Sequence, residues 1–108
     1  MLIYGPVELN VFQAVSDPTR REMLQLLLDG EKTAAELAQP FDVSQPAISQ
    51  HLRVLREAGL VEVRKEGRYR VYTLNPVPLQ EVFDWAEYFQ GFWRTKLAAF
   101  ARELDRTP

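Results

Sequence analysis

The sequence Thr33-Ala-Ala-Glu36, followed by Ser44-Gln-Pro-Ala-Ile-Ser-Gln50, begins the stretch that decides the fold. The first segment is a capping box, in which a threonine hydroxyl caps the start of a helix and a glutamate three residues later reaches back to the cap. The serine of the second segment is placed to cap another helix, with a glutamine and a proline in its first turn. The stretch therefore predicts two helices separated by a tight turn.

The second helix carries one apolar stripe and leads into a pair of strands. Ile48, Leu52, Leu55 and Ala58 repeat at helical spacing, and Gly59 marks the end of the helix. Residues 60–65 and 69–74 then alternate around a Glu-Gly-Arg turn, as in a β-hairpin. The order predicts a mainly α fold with a small β-hairpin wing, a winged helix-turn-helix with the two helices in 33–59 and the wing in 60–74. Such a motif places its second helix in the DNA major groove.

The flanking segments predict further helices. A short helix is expected over 7–15, and Asp17 with Pro18 begins the next one, which stops at Gly30. A break at residues 75–78 precedes a long last helix within 78–105. Four residues of the helix that follows Pro18 are expected to face inward: Met23, Leu24, Leu27 and Leu28.

The last helix is rich in aromatic residues, which form two apolar stripes. One interpretation is a pocket for an unknown aromatic or lipid-like small-molecule effector; the other, which helical spacing favours, is core plus dimer interface. The last helix, within 78–105, is thus expected to contribute to a dimer interface. Its expected interface residues are Trp85, Phe89, Phe92, Trp93 and Phe100.

Composition sets the limits on class and location. With 108 residues, 46% of them hydrophobic, the chain suits one modest core, and its remaining apolar surface calls for a partner subunit. No apolar run is long enough to span a membrane, and the N-terminus does not resemble a signal peptide. Cysteine is absent, which excludes disulfides and thiolate ligands. A cytoplasmic location is expected.

The net charge of −2 is unusual for a nucleic-acid binder. The charge is unevenly distributed, since residues 44–72 carry six basic side chains and three acidic ones, a net +3, and the remainder carries −5. Because salt screens distant charges, a basic face on an acidic body is still able to bind phosphates. Strong non-specific binding is not expected.

The outward face of the second helix has the composition of a DNA-reading surface. It carries amides, hydroxyls and one arginine, with no carboxylate before Glu57. Amides and arginine pair bidentately with base edges. Gln45 and Gln50 are the expected base readers, Ser44 and Ser49 the expected phosphate contacts, and Arg53 suits either role. The full expected set on double-stranded DNA is Ser44, Gln45, Pro46, Ser49, Gln50 and Arg53, with Arg64, Arg68 and Arg70 from the wing.

No catalytic, cofactor or metal site is expected. His51 is the single histidine, and without cysteine or carboxylates at ligand spacing it makes a poor metal site. Its place beside the apolar stripe favours a hydrogen-bonded structural role over a phosphate contact. The sequence also shows no phosphate-binding glycine loop and no nucleophile-histidine arrangement.

The motifs resemble the ArsR/SmtB family of bacterial repressors over nearly the whole chain. The resemblance lies in Ser16-Asp-Pro-Thr-Arg-Arg21, the segment 44–61, and Glu66-Gly-Arg-Tyr-Arg-Val-Tyr72. It implies a homodimeric winged-helix repressor that dimerises through its first and last helices, in segments 1–15 and 78–105, with Phe12 of the first helix at the interface. The cysteine motif of the family's metal sensors is absent here, where the sequence reads Glu36-Leu-Ala-Gln39, and the last helix has no histidine. The resemblance is therefore to the metal-independent branch, in which a Phe-Trp pair such as Phe92-Trp93 is typical.

One other class stays open at this point. A winged helix also serves as a protein-interaction module, and the acidic balance of the chain is compatible with that role. A protein-binding surface is expected to present apolar anchors. The amide-rich helix face favours DNA.

Overall fold

The computed structural model describes residues 10–106, which form six α-helices and three strands. Their order is α1 (Val11–Ala14), α2 (Pro18–Leu26), a 3₁₀ turn (Leu27–Asp29), β1 (Lys32–Thr33), α3 (Ala34–Ala38), α4 (Gln45–Glu57), β2 (Val61–Glu66), β3 (Tyr69–Leu74), α5 (Leu79–Glu87) and α6 (Gln90–Arg106). This is the predicted winged helix-turn-helix. Of the helix expected over 7–15, residues 7–9 lie outside the described part of the chain.

Helices α2, α3 and α4 begin at the predicted capping residues. The Thr33 hydroxyl accepts from the Glu36 backbone N–H at 3.2 Å, and the Glu36 carboxylate accepts from the Thr33 N–H at 2.8 Å. The Asp17 carboxylate accepts from the backbone N–H of Arg20 at 3.1 Å and begins α2. These three bonds satisfy backbone N–H groups at the helix starts that have no partner within the helix.

A three-stranded antiparallel sheet carries the wing, in the order β1-β3-β2. The two long strands turn at Gly67, whose φ of 60° suits a two-residue hairpin with glycine at its first central position. The sequence analysis missed β1. This strand has only two residues, too few to show alternation, and it exists because it pairs with β3.

The core lies where α2, α3, α4 and β2 meet. Met23, Leu37, Leu55 and Leu60 are its largest fully buried side chains. The prediction that Leu28 faces inward is wrong, because 72% of this residue is exposed. The α-helix ends at Leu26, and the 3₁₀ turn that follows keeps Leu27 buried but directs the Leu28 side chain outward.

The prediction of a single last helix over 78–105 is also wrong, because the segment forms two helices, α5 and α6. The N–H groups of Tyr88 and Phe89 donate to the carbonyls of Trp85 and Ala86, three residues back, at 3.2 and 3.0 Å. Helical i→i−4 bonding resumes with Trp93 donating to Phe89 at 3.0 Å. The tighter turn interrupts the helix without proline or glycine at the break.

The last two helices extend away from the core. All residues of α6 are exposed, and in α5 only Leu79 and Val82 are half-buried. The radius of gyration is 18.5 Å, whereas a compact chain of this length has about 13 Å. Much of the apolar surface of α5 and α6 is therefore uncovered in the single chain.

Candidate nucleic-acid interface

Helix α4 is anchored at both ends and along one face. At its start the Ser44 hydroxyl accepts from the Ala47 N–H at 3.2 Å, as predicted. At its end Gly59 takes a φ of 78°, and the side chain of Asn75 donates to the Gly59 carbonyl at 2.9 Å. This last bond, which fastens the helix end to the end of β3, was not found from the sequence. It fixes α4 relative to the wing.

The buried stripe of α4 leaves the opposite face free for binding. Ile48, Leu52 and Leu55 are buried as predicted. The outward side chains expected to contact DNA are all exposed: Ser44, Gln45, Pro46, Ser49, Gln50 and Arg53. The first turn of α4 has no acidic residue, so the positive end of the helix dipole remains available to an anion. The helix therefore presents hydroxyl and amide groups and a positive charge on one surface.

His51 has a structural role, as the sequence analysis favoured. Its Nδ1 lies 3.1 Å from the Arg20 guanidinium and 3.9 Å from the Asp17 carboxylate. Because arginine only donates, Nδ1 is the acceptor in the hydrogen bond with Arg20. Arg20 also donates to the carbonyls of Ala14 and Gln13 at 2.7 and 3.1 Å. Arg20, which the sequence analysis did not single out, thus joins the end of α1 to α4.

The three wing arginines have different surroundings. Arg64 forms a two-pronged ion pair with Glu31, at 2.6 and 2.8 Å, and also contacts Glu66 at 3.2 Å. The hydrogen bond from Arg64 lowers the pKa of Glu31, and the pKa of Arg64 is raised in return. At the tip, Arg68 lies 5.5 Å from the centre of the Tyr69 ring. Among the described residues, no ion pair involves Arg68 or Arg70. These two cations are therefore better placed than Arg64 to meet a phosphate.

The side chains expected at a dimer interface lie on the exposed surfaces of α1, α5, α6 and the α5–α6 turn. Within one chain Trp85 packs edge-on against Phe12 and Phe89, with ring centres 6.1 and 5.3 Å apart. Between 37% and 63% of each expected residue stays exposed, and Leu97 and Leu104 beside them are similar. We call these eight the aromatic surface: Phe12, Trp85, Phe89, Phe92, Trp93, Leu97, Phe100 and Leu104.

The fold and the polar face of α4 define the class of this chain, a winged helix-turn-helix protein, in which a helix is presented to DNA. Residues 10–106 contain no group of three or more histidine, cysteine or acidic side chains arranged to hold a metal ion. Over the same range, no helix has the length and apolar character needed to cross a bilayer.

Comparison with known proteins identifies the family. The family model for "Bacterial regulatory protein, arsR family" matches residues 17–63. The chain is 43% identical to the transcriptional repressor SdpR of Bacillus subtilis, over 70% of this chain and 84% of SdpR. It is 39% identical to the HTH-type transcriptional regulator Rv2034 of Mycobacterium tuberculosis, over 89% of this chain and 87% of that regulator.

A solved structure agrees with the sequence comparisons. A possible transcriptional regulator for arsenical resistance superimposes with a TM-score of 0.65 and 42% identity, covering 95% of this chain and all of the other. The chain belongs to the ArsR family of bacterial regulatory proteins. It is accordingly a DNA-binding transcriptional regulator and not an enzyme.

Proposed function

We propose that the protein is a transcriptional repressor that binds a pseudo-palindromic DNA operator as a homodimer and does not sense metal ions. The observation that carries the proposal is the exposed face of α4, which groups two amides, two hydroxyls and an arginine. A repressing role follows the name of the similar B. subtilis protein. Cytoplasmic DNA near its own gene is the expected target.

Base recognition is assigned to Gln45 and Gln50. Both are exposed on α4, and an amide pairs bidentately with the N6 and N7 of adenine. Ser44, Ser49 and Arg53 are assigned to the phosphates beside them, and Pro46 lies within the same contact surface. Phosphate contacts set the register of the helix, whereas the amides select the sequence.

The wing is assigned a supporting contact. Arg68 and Arg70 have no carboxylate partner among residues 10–106, so they meet a phosphate or the minor groove without first breaking an ion pair. Arg64 has to exchange Glu31 for DNA. We therefore expect Arg64 to contribute the least of the three.

Dimerisation is assigned to the aromatic surface. A second copy places two α4 helices in successive major grooves, about 34 Å apart on the same side of the duplex. The eight side chains of the aromatic surface expose about 100 Å² each, or roughly 800 Å² per subunit. This is the area that each partner contributes to a standard protein interface. A second copy therefore accounts for both the uncovered surface and the symmetric operator.

The test compares operator DNA with unrelated DNA. A duplex carrying an inverted repeat from upstream of the gene serves as operator, and fluorescence anisotropy gives the affinity. Gln45→Ala and Gln50→Ala should each cost about 1–3 kcal/mol on the operator and leave unrelated DNA unchanged. Gln25→Ala, an exposed glutamine of α2 beside Glu22 and Asp29, is the matched control and should change neither. Equal losses on both DNAs would reassign the two glutamines to phosphate contacts.

A further inference from the structure

A groove of about 380 Å³ separates α4 from β3 and is lined by both. Buried apolar side chains of α4 form part of its lining, and the polar groups are supplied by six residues: Gln45, Ser49, Arg53, Arg56, Arg70 and Tyr72. Three of the six are arginines. Arg53 and Arg56 come from α4, whereas Arg70 comes from β3, at least fourteen residues further along the chain. The groove therefore exists only in the folded chain, and Arg56 has had no role in the function proposed so far.

The cations around this groove are poorly neutralised. Arg53 has a carboxylate partner, Glu57, at 3.9 Å, and both side chains are exposed. Within the described residues, no ion pair involves Arg56, Arg70 or Lys65. Lys65 lies directly opposite Arg70 in the hairpin register, so the two share one face of the hairpin, where like charges repel. An anion in the groove would relieve this repulsion.

The position of the groove indicates which anion it holds. If α4 enters the major groove and the wing reaches the flanking minor groove, the strand that divides the two grooves of DNA runs between α4 and the wing. We propose that the α4–wing groove holds this sugar-phosphate strand, with Arg56 and Arg70 on its phosphates and Lys65 beside them. Arginine suits the role because its planar fork binds a phosphate through two hydrogen bonds. This inference rests on the proposed DNA-binding function.

The first experiment measures the salt dependence of binding to an unrelated duplex. Each phosphate contact contributes about 0.9 to the slope of log affinity against log salt, and a dimer carries two copies of each residue. Arg56→Gln and Arg70→Gln should therefore each lower the slope by roughly 1.8, and Lys65→Gln by less. Arg94→Gln, which removes an exposed cation of α6, is the charge-matched control and should leave the slope unchanged.

The second experiment uses the wild-type protein, so it does not depend on the folding of a variant. Operator duplexes with one neutral methylphosphonate at successive positions should lose affinity at the phosphates between the half-site and the flanking minor groove. The double variant R56Q/R70Q should be insensitive to the same positions. Inorganic phosphate is added at about 10 mM, a concentration at which salt screens charges only weakly. It should displace no more DNA than potassium chloride of equal ionic strength.

The outcomes separate the two proposals. A wild-type protein without affinity for any duplex contradicts the proposed function itself. A wild-type protein that binds with a steep salt slope, together with variants that retain that slope, contradicts only the assignment of the groove. If inorganic phosphate displaces DNA from the wild type and not from R56Q/R70Q, the groove is a site for a free anion and the strand assignment is wrong.

Discussion

Replacing Trp93 by alanine tests whether the aromatic surface joins two subunits. Trp93 lies on α6, packs edge-on against Phe92 with ring centres 5.5 Å apart, and is 58% exposed. Because the side chain lies outside the core of the single chain, its removal should leave the folded monomer intact. The loss should fall on dimerisation.

The magnitude follows from the exposed area. An aromatic side chain buries about 150–250 Å², so the exposed part of Trp93 offers roughly 100–150 Å² to a partner. At about 25 cal/mol per Å² this corresponds to about 3 kcal/mol per subunit, and a two-fold interface contains the residue twice. The two copies together correspond to about 6 kcal/mol. Because association costs offset part of the free energy of burial, we take half of this sum, about 3 kcal/mol, as the loss in dimer stability. The dimer dissociation constant should rise about a hundredfold.

Sedimentation equilibrium over a range of protein concentrations measures the dissociation constant directly. A matched pair of leucines supplies the control. Leu97→Ala, on the aromatic surface at 63% exposure, should weaken the dimer, whereas Leu28→Ala, on the 3₁₀ turn at 72% exposure, should not. Circular dichroism of each variant checks the fold. A wild-type chain that stays monomeric at tens of micromolar, or a Trp93→Ala dimer as tight as the wild type, would refute the reasoning.

Two further predictions concern pH and metal ions. Burial opposes the ionised form of Asp17. The hydrogen bond from the Arg20 N–H, together with the nearby His51 and Arg20, outweighs this effect and lowers the pKa of Asp17 below its ordinary 3.8. The contribution of ionised Asp17 to folding stability is therefore complete above pH 3.8 and is lost as the pH falls through the lower pKa of the folded state. In thermal melts, the melting temperature of Asp17→Asn, which keeps the cap, should depend less on pH in the acid range than that of the wild type. Asp17→Ala should be destabilised by about 1 kcal/mol at neutral pH. Parallel acid curves for the wild type and both variants would count against this prediction. Zinc, copper or arsenite should leave operator affinity unchanged in a non-chelating buffer, because the chain has no cysteine and one histidine, and a zinc ion that weakened binding tenfold, about 1.4 kcal/mol of coupling, would reveal an unrecognised ligand set.

The local sequence determined where α2, α3 and α4 begin and which face of α4 is buried. The caps at Asp17, Thr33 and Ser44 act on N–H groups three residues away, so each motif identifies its own helix start. The burial of Ile48, Leu52 and Leu55 follows from helical spacing, which also places the glutamines of α4 on the opposite face. These properties depend on residues within one or two turns of each other, and such patterns are legible in the sequence.

The tertiary structure decided the features that join distant segments. Arg20 meets His51 across 31 positions, and Arg64 meets Glu31 across 33. Strand β1 exists because it pairs with β3, and the groove between α4 and β3 exists because Asn75 and the core hold the two elements together. No local pattern encodes these contacts, since each partner alone resembles an ordinary polar surface residue. Folding gives the arginines their separate roles, because it places Arg64 beside a carboxylate and Arg20 beside α4. It leaves Arg56 and Arg70 without an ion pair among the described residues.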